Sequence, residues 1–174
     1  MSVEVVDQDN GWIDIQESIK DLTSKEVHVG YEKTSGEFGV TELALVQEFG
    51  TKIKVTDKMR GYLGSQGLHL KKTTEVITIP SRPFIRDSFD NNVDGLSDSG
   101  IELMIKTLEG QIDPDMAYEI WGDSLKGIIQ NGVTSKSLGL EENNGFTQKR
   151  KGSGTPLIDT GRLINGIEVN ITDE

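Results

Sequence analysis

The stretch GTPLIDTGRLINGI, residues 154–167, holds the tripeptide Asp159-Thr160-Gly161 behind an apolar pair, and its reading decides the fold. Retroviral-type aspartic proteases carry that tripeptide at their catalytic carboxylate. Such an enzyme needs two aspartates sharing a proton across a dimer axis, and a flap that closes over the substrate. The tripeptide then has to come early, because most of the fold and the flap follow it. Here only 13 residues follow Gly161, enough for one turn and one strand. Asp159 or Thr160 is instead expected to cap the short turn GRLINGI by accepting its exposed N–H groups.

Working outward, Ile167, Val169 and Ile171 alternate with Glu168 and Asn170, which predicts a final strand that travels back to pair in a sheet. Upstream, VTSKSLGLEENNGFTQKRKGSGTP is polar and glycine-rich, and residues 133–156 read as a long mobile loop. Two longer helices precede it. Over 96–109, Ile101, Met104, Ile105 and Leu108 fall at i, i+3, i+4 and i+7. Asp113-Pro114 then supplies a cap and a first-turn proline. The helix that follows carries Ala117, Ile120, Trp121, Leu125 and Ile128 in one stripe, and Asn131-Gly132 is expected to stop it.

In the first half, Asp9-Asn10 offers a cap to a helix over 11–23, with Trp12, Ile15, Ile19 and Leu22 at helical spacing; residues 1–26 read as a helical extension. Val27, Val29 and Tyr31 predict a strand, and TSGEFGV (34–40) a loop or hairpin tip. TELALVQEFG (41–50) predicts a short buried helix, capped by Thr41 and stopped by Gly50. Residues 51–73 are mixed, with a short strand at Ile53–Val55. TTEVITIP is β-rich and ends at Pro80, and SRPFIRDSFDNN enters a helix behind Ser81 and Pro83. The class is α+β, with residues 1–174 as one domain.

Eighteen Lys and Arg against 29 Asp and Glu give a net charge of −11, which disfavours nonspecific binding to nucleic acid. The acidity serves solubility, or it lines a passage through which DNA slides without sticking. With no cysteine there is no disulfide framework, thiolate metal site or cysteine nucleophile. No apolar run approaches the roughly 20 residues of a membrane span, and MSVEVVDQDNG lacks a signal-peptide layout, so a cytoplasm is the expected place of synthesis. His28 and His69 lack metal-ligand spacing. GYLGSQG lacks the Lys-Ser/Thr ending of a phosphate-binding loop, and no G-x-S-x-G elbow exists. Neither a cofactor nor a catalytic residue is expected. Basic residues cluster as Lys71-Lys72 and as Lys149-Arg150-Lys151. The second run is either a solvated loop or a clamp on an acidic partner or on passing DNA.

Three stretches in order resemble the small neck and tail-completion proteins of tailed bacteriophages: ALVQEFGT (44–51), ITIPSRPFIRDSFD (77–90) and TPLIDTGRLINGIEV (155–169). They bracket residues 44–169. Gln47 stands where that family often has His, and residues 1–26 match no part of it. The resemblance implies a virion structural protein with a small antiparallel sheet packed against one or two long helices and extended loops. It implies self-assembly into a ring, usually hexameric, that ends the tail tube and joins it to the head connector or head-closure protein. DNA would pass through the lumen, and no membrane would be involved. A head-closure role or an assembly-only role fits the same motifs. An acidic DNA-mimic inhibitor is the rival from another class.

Within the matched residues, Pro80 and Pro83 fix φ on either side of Arg82. Arg82 and Arg86 present forks able to hold the carboxylates of Glu48, Asp87, Asp90 or a neighbour, over an apolar anchor of Phe84, Ile85 and Phe89. The bridge is internal or spans subunits. The expected interface comprises Glu48, Phe49, Arg82, Phe84, Arg86, Lys149, Arg150, Lys151, Asp159 and Arg162.

Overall fold

The computed structural model describes residues 11–32, 39–135, 137–151 and 155–173. The expected Asp9-Asn10 cap and most of the 34–40 loop lie outside them. The class is α+β. Among the described residues, eight helices and four strands follow in the order α1 (Trp12–Thr23), β1 (Lys25–Gly30), α2 (Val40–Phe49), β2 (Thr51–Lys54), α3 (Asp57–Ser65), β3 (Val76–Ile79), α4 (Phe84–Asp90), α5 (Val93–Leu108), α6 (Pro114–Thr134), α7 (Gly145–Lys151), α8 (Arg162–Asn165) and β4 (Glu168–Asp173). Two two-stranded sheets form, β1 with β4 and β2 with β3.

Chain contacts divide the molecule into two compact units, each discontinuous in sequence. The first comprises Met1–Val29, Asn92–Leu125 and Val169–Glu174; the second comprises Gly30–Asn91 and Lys126–Glu168. Helix α6 contributes its first half to one and its second half to the other.

In the first unit β1 alternates as its sequence predicts, with Val27 and Val29 turned inward and His28 exposed. The sheet rests on α6 at Gly122, where an added Cβ would collide with the Val169 and Val27 side chains. Asp113 Oδ1 accepts from Met116 N at 2.7 Å, so this aspartate caps α6 as its sequence suggests. Trp121 Nε1 donates to Leu96 O at 2.8 Å, and its indole lies against Gly100. That contact sets the rotation of α5, turning Leu96, Leu103 and Thr107 inward. Ile101, Met104 and Ile105 face outward and stay 57%, 46% and 50% exposed. The periodicity identified the helix, but not which side the neighbouring indole would claim.

In the second unit β2 and β3 pair antiparallel, with Thr51 opposite Ile79 and Ile53 opposite Ile77. Helix α3 was not legible in the mixed 51–73 stretch; Thr56 Oγ1 caps it by accepting from Met59 N at 3.2 Å. Phe84, Ile129, Val133, Leu163 and Ile167 form the core. Helix α2 is only partly buried: Ala44 and Glu48 face in, while Leu45 and Phe49 face out. Its cap is Gly39, whose N–H donates to Glu42 Oε2 at 2.8 Å, and Thr41 Oγ1 donates instead to Glu32 O. Gly132 does not stop α6. It faces Ser88 Oγ and Leu138 too closely for a side chain, so this glycine is a packing position inside a continuing helix.

Two glycines of α6 should respond to alanine with opposite signs. Gly122→Ala should destabilise by about 1–3 kcal/mol, because valines are stiff and the clash exceeds the helix-propensity gain. Gly127→Ala has open space and should stabilise by about 0.5–1 kcal/mol. Urea-unfolding midpoints of the two variants measure both.

Candidate functional site

The sequence motifs meet at the C-terminal end of α2. Gly50 has φ 69°, and a Cβ there would lie 2.7 Å from Ser81 N and 2.8 Å from Ile79 O, so glycine lets the two backbones touch. Across that contact, Ser81 Oγ donates to Glu48 O at 2.6 Å and Arg82 N donates to Gln47 O at 2.7 Å. The open carbonyls of a helix end are thereby satisfied by the segment between the two prolines.

Helix α4 begins behind Pro83, not with proline in its first turn, and Pro83 has no side chain that could cap it. Glu48 performs that task from α2. Its Oε2 accepts from Ile85 N at 3.0 Å, and its Oε1 accepts from Arg86 N at 3.3 Å and Arg86 Nε at 3.1 Å. A carboxylate only 4% exposed is stable here because it meets both free N–H groups and a guanidinium. The Arg86 guanidinium also lies 5.3 Å above the exposed Phe49 ring, a cation–π contact. Tyr31, Leu45, Phe49, Ile85 and Arg86 line a mostly apolar groove here.

Arg82 departs from expectation, because it holds no carboxylate. It is 5% exposed, and its Nε donates to Glu141 O at 2.7 Å and its Nη1 to Gln47 Oε1 at 3.0 Å. Longer bonds run from Nη2 to Glu142 O and Asn143 Oδ1, at 3.3 and 3.4 Å. Burial pulls the guanidinium below the ordinary arginine value while the charge of Glu141 opposes that shift. Backbone carbonyls and side-chain amide oxygens spread around a fork of five donors satisfy its N–H groups as it is buried.

That grip orders part of the stretch read as a mobile loop. Asn144 Oδ1 caps α7 by accepting from Thr147 N at 2.9 Å, and Gln148 Nε2 donates to Asn143 O at 2.7 Å. Lys136 and residues 152–154 lie outside the described residues. Lys149 and Arg150 project from the last turn of α7, where cations suit the helix dipole. Lys151 turns partly inward, and burial lowers its pKa, with Asp159 opposing and Arg82 reinforcing the shift.

The third motif joins through Tyr31. Its hydroxyl donates to Leu163 O at 2.7 Å, and its ring meets Phe84 edge-on at 6.3 Å. Burial, then the charge of Glu48, raises the Tyr31 pKa, which keeps the hydroxyl a neutral donor. Neither Asp159 nor Thr160 caps α8. The cap position is Gly161 at φ 77°, with no side-chain cap bond, because the left-handed glycine turns both preceding side chains to solvent. Asp159 borders a cavity of about 310 Å³ with Gln47, Thr147, Lys151 and Arg162. It is the one carboxylate among the described residues lining that cavity, beside the cationic Lys151 and Arg162.

Glu48, Phe49, Arg82, Phe84 and Arg86 are thus brought together, Lys151, Asp159 and Arg162 gather at the adjoining cavity, and Lys149 and Arg150 stand apart from both. Phe89 is 42% exposed and is no anchor. Gln47, Asn143 and Tyr31 were missed, since each acts through partners distant in sequence and leaves no periodic trace. No group of three or more His, Asp or Glu side chains among the described residues is placed to hold a metal ion. No described helix is long and apolar enough to cross a membrane.

No family profile, curated protein or solved structure matches this chain.

Arg82→Ala should cost about 2–3 kcal/mol of unfolding free energy, since it removes several hydrogen bonds to part-buried acceptors at once. It should also open Lys149–Lys151 to limited trypsin cleavage. Glu48→Ala should cost a similar amount, about 2 kcal/mol, through the lost cap of α4, and leave the trypsin sites protected. Paired denaturation and digestion of the two variants separates these effects.

Proposed function

We propose that the protein is a non-enzymatic structural component of a bacteriophage neck, a tail-terminator or tail-completion protein. It forms a ring, of six copies by the resemblance, between the tail tube and the head connector, and its place is the virion after assembly in the host cytoplasm. The observation that carries this reading is the interlocking of the three motif stretches in one corner. Gly50 abuts Ser81, Glu48 caps α4, and Tyr31 links Phe84 to Leu163. Residues that carry the resemblance hold one another by backbone hydrogen bonds, which suits scaffolding. The exposed Phe49, the groove beside it and the Lys149-Arg150 turn supply adhesive surface toward neighbours.

One observation favours the DNA-mimic reading as a second possibility: Asp94, Asp98 and Glu102 follow at four-residue spacing along exposed α5. Ile101 and Ile105 share that surface and suit a protein partner better than a mimic of phosphate spacing.

Electron microscopy of particles assembled without this protein tests the neck reading. Filled heads apart from over-long or unjoined tails are expected, whereas normal joined particles would remove the proposal.

A further inference from the structure

The charge of the chain is divided unevenly between its two units. The first carries 17 acidic against 3 basic side chains, a formal −14; the second carries 12 acidic against 15 basic, a formal +3. Within the second unit, residues 51–79, which build β2, α3 and β3, hold six basic side chains against two acidic ones.

One of the six is structural. The Arg60 guanidinium donates to Lys71 O at 2.7 Å, Thr74 O at 2.8 Å and Leu70 O at 3.3 Å, pinning the turn that bears Lys71 and Lys72. The other five, Lys52, Lys54, Lys58, Lys71 and Lys72, are exposed, and none forms an ion pair among the described residues. Lys52 and Lys54 project from the same face of β2, and Lys54 lies opposite the exposed Val76. Tyr62 of α3 is 56% exposed. Lys58 precedes Tyr62 by one turn of α3, and ammonium groups without counterions beside apolar and aromatic side chains lower their energy by meeting an acidic, partly apolar surface.

The first unit has such a surface. Asp94, Asp98, Ile101 and Ile105 fall at i, i+4, i+7 and i+11 of α5, within one narrow stripe. All four are exposed, and neither aspartate is ion-paired among the described residues. We infer that the lysine surface of β2–α3 docks on the Asp94–Ile105 stripe of α5 in a second copy of this chain. The contact is head-to-tail: each copy offers one lysine surface and one stripe, so copies add in series. The inference deepens the proposed function, resting on its premise of self-association, and assigns that association to two named surfaces.

Sedimentation of the full chain at low salt tests it. The wild type should associate with rising concentration, and raising ionic strength from about 50 to 500 mM should weaken association on the order of tenfold or more. Reversing the basic surface (K52E, K54E, K58E, K71E, K72E) should weaken it by about a hundredfold or more, as should D94K with D98K. Mixing the two reversed proteins should restore assembly, because the swapped charges again match. Circular dichroism confirms folding of each variant, and a milder Lys→Gln set reads the same loss if the glutamates prevent it. A wild type that stays monomeric at low salt, or a mixture that fails to reassemble, would overturn the inference. So would lysine reversal that abolishes retention on DNA while leaving self-association intact. The neck reading is judged separately by particle morphology, and it survives if its contacts use other surfaces.

Discussion

A single buried carboxylate organises the second unit. Glu48 sits at the end of one helix and closes the start of another, so α2 and α4 cannot shift independently. The need arises from the proline behind α4: it fixes the approach of the chain but leaves the first N–H groups without a local acceptor. Gly50 answers the reverse problem, allowing the departing chain to pass against Ser81. The Glu-Phe-Gly and Arg-Pro-Phe stretches are therefore two halves of one joint, although thirty-one residues separate them.

Several residues that act through local geometry were legible in the sequence. Asp113 before Pro114 capped its helix, and the alternation of Val27 and Val29 gave a strand with the expected inward face. Gly50 ended α2. The caps of α2 and α8 were misread locally, at Gly39 and Gly161, while three other misreadings share a different cause, a partner distant in sequence. The inward side of α5 depends on an indole twenty-one residues from Gly100. The glycine at 132 is required by Ser88. Arg82 was matched to carboxylates because charge suggests charge, yet it took main-chain oxygens, which carry no sequence signature. Those oxygens belong to the polar stretch read as featureless, so the same error concealed α7.

The aspartate that opened the problem has a modest place. Asp159 lies exposed beside a left-handed glycine, at the rim of a cavity whose other charged members are cationic. The chemistry of a side chain follows its surroundings, and those of Asp159 are solvent and two cations, Lys151 and Arg162.

Pairing of β1 with β4 has a consequence for how the chain reaches this state. About 140 residues separate the two strands, so the first unit closes a very long loop, and loop-closure entropy places that step late in folding. During synthesis both units wait on the end of this sequence, because the second unit's core includes Leu163 and Ile167 and the first unit needs β4. Until residues near 170 leave the ribosome, Val27 and Gly122 have no Val169 to cover them, and that nascent surface is the one most exposed to chaperones and to misassembly.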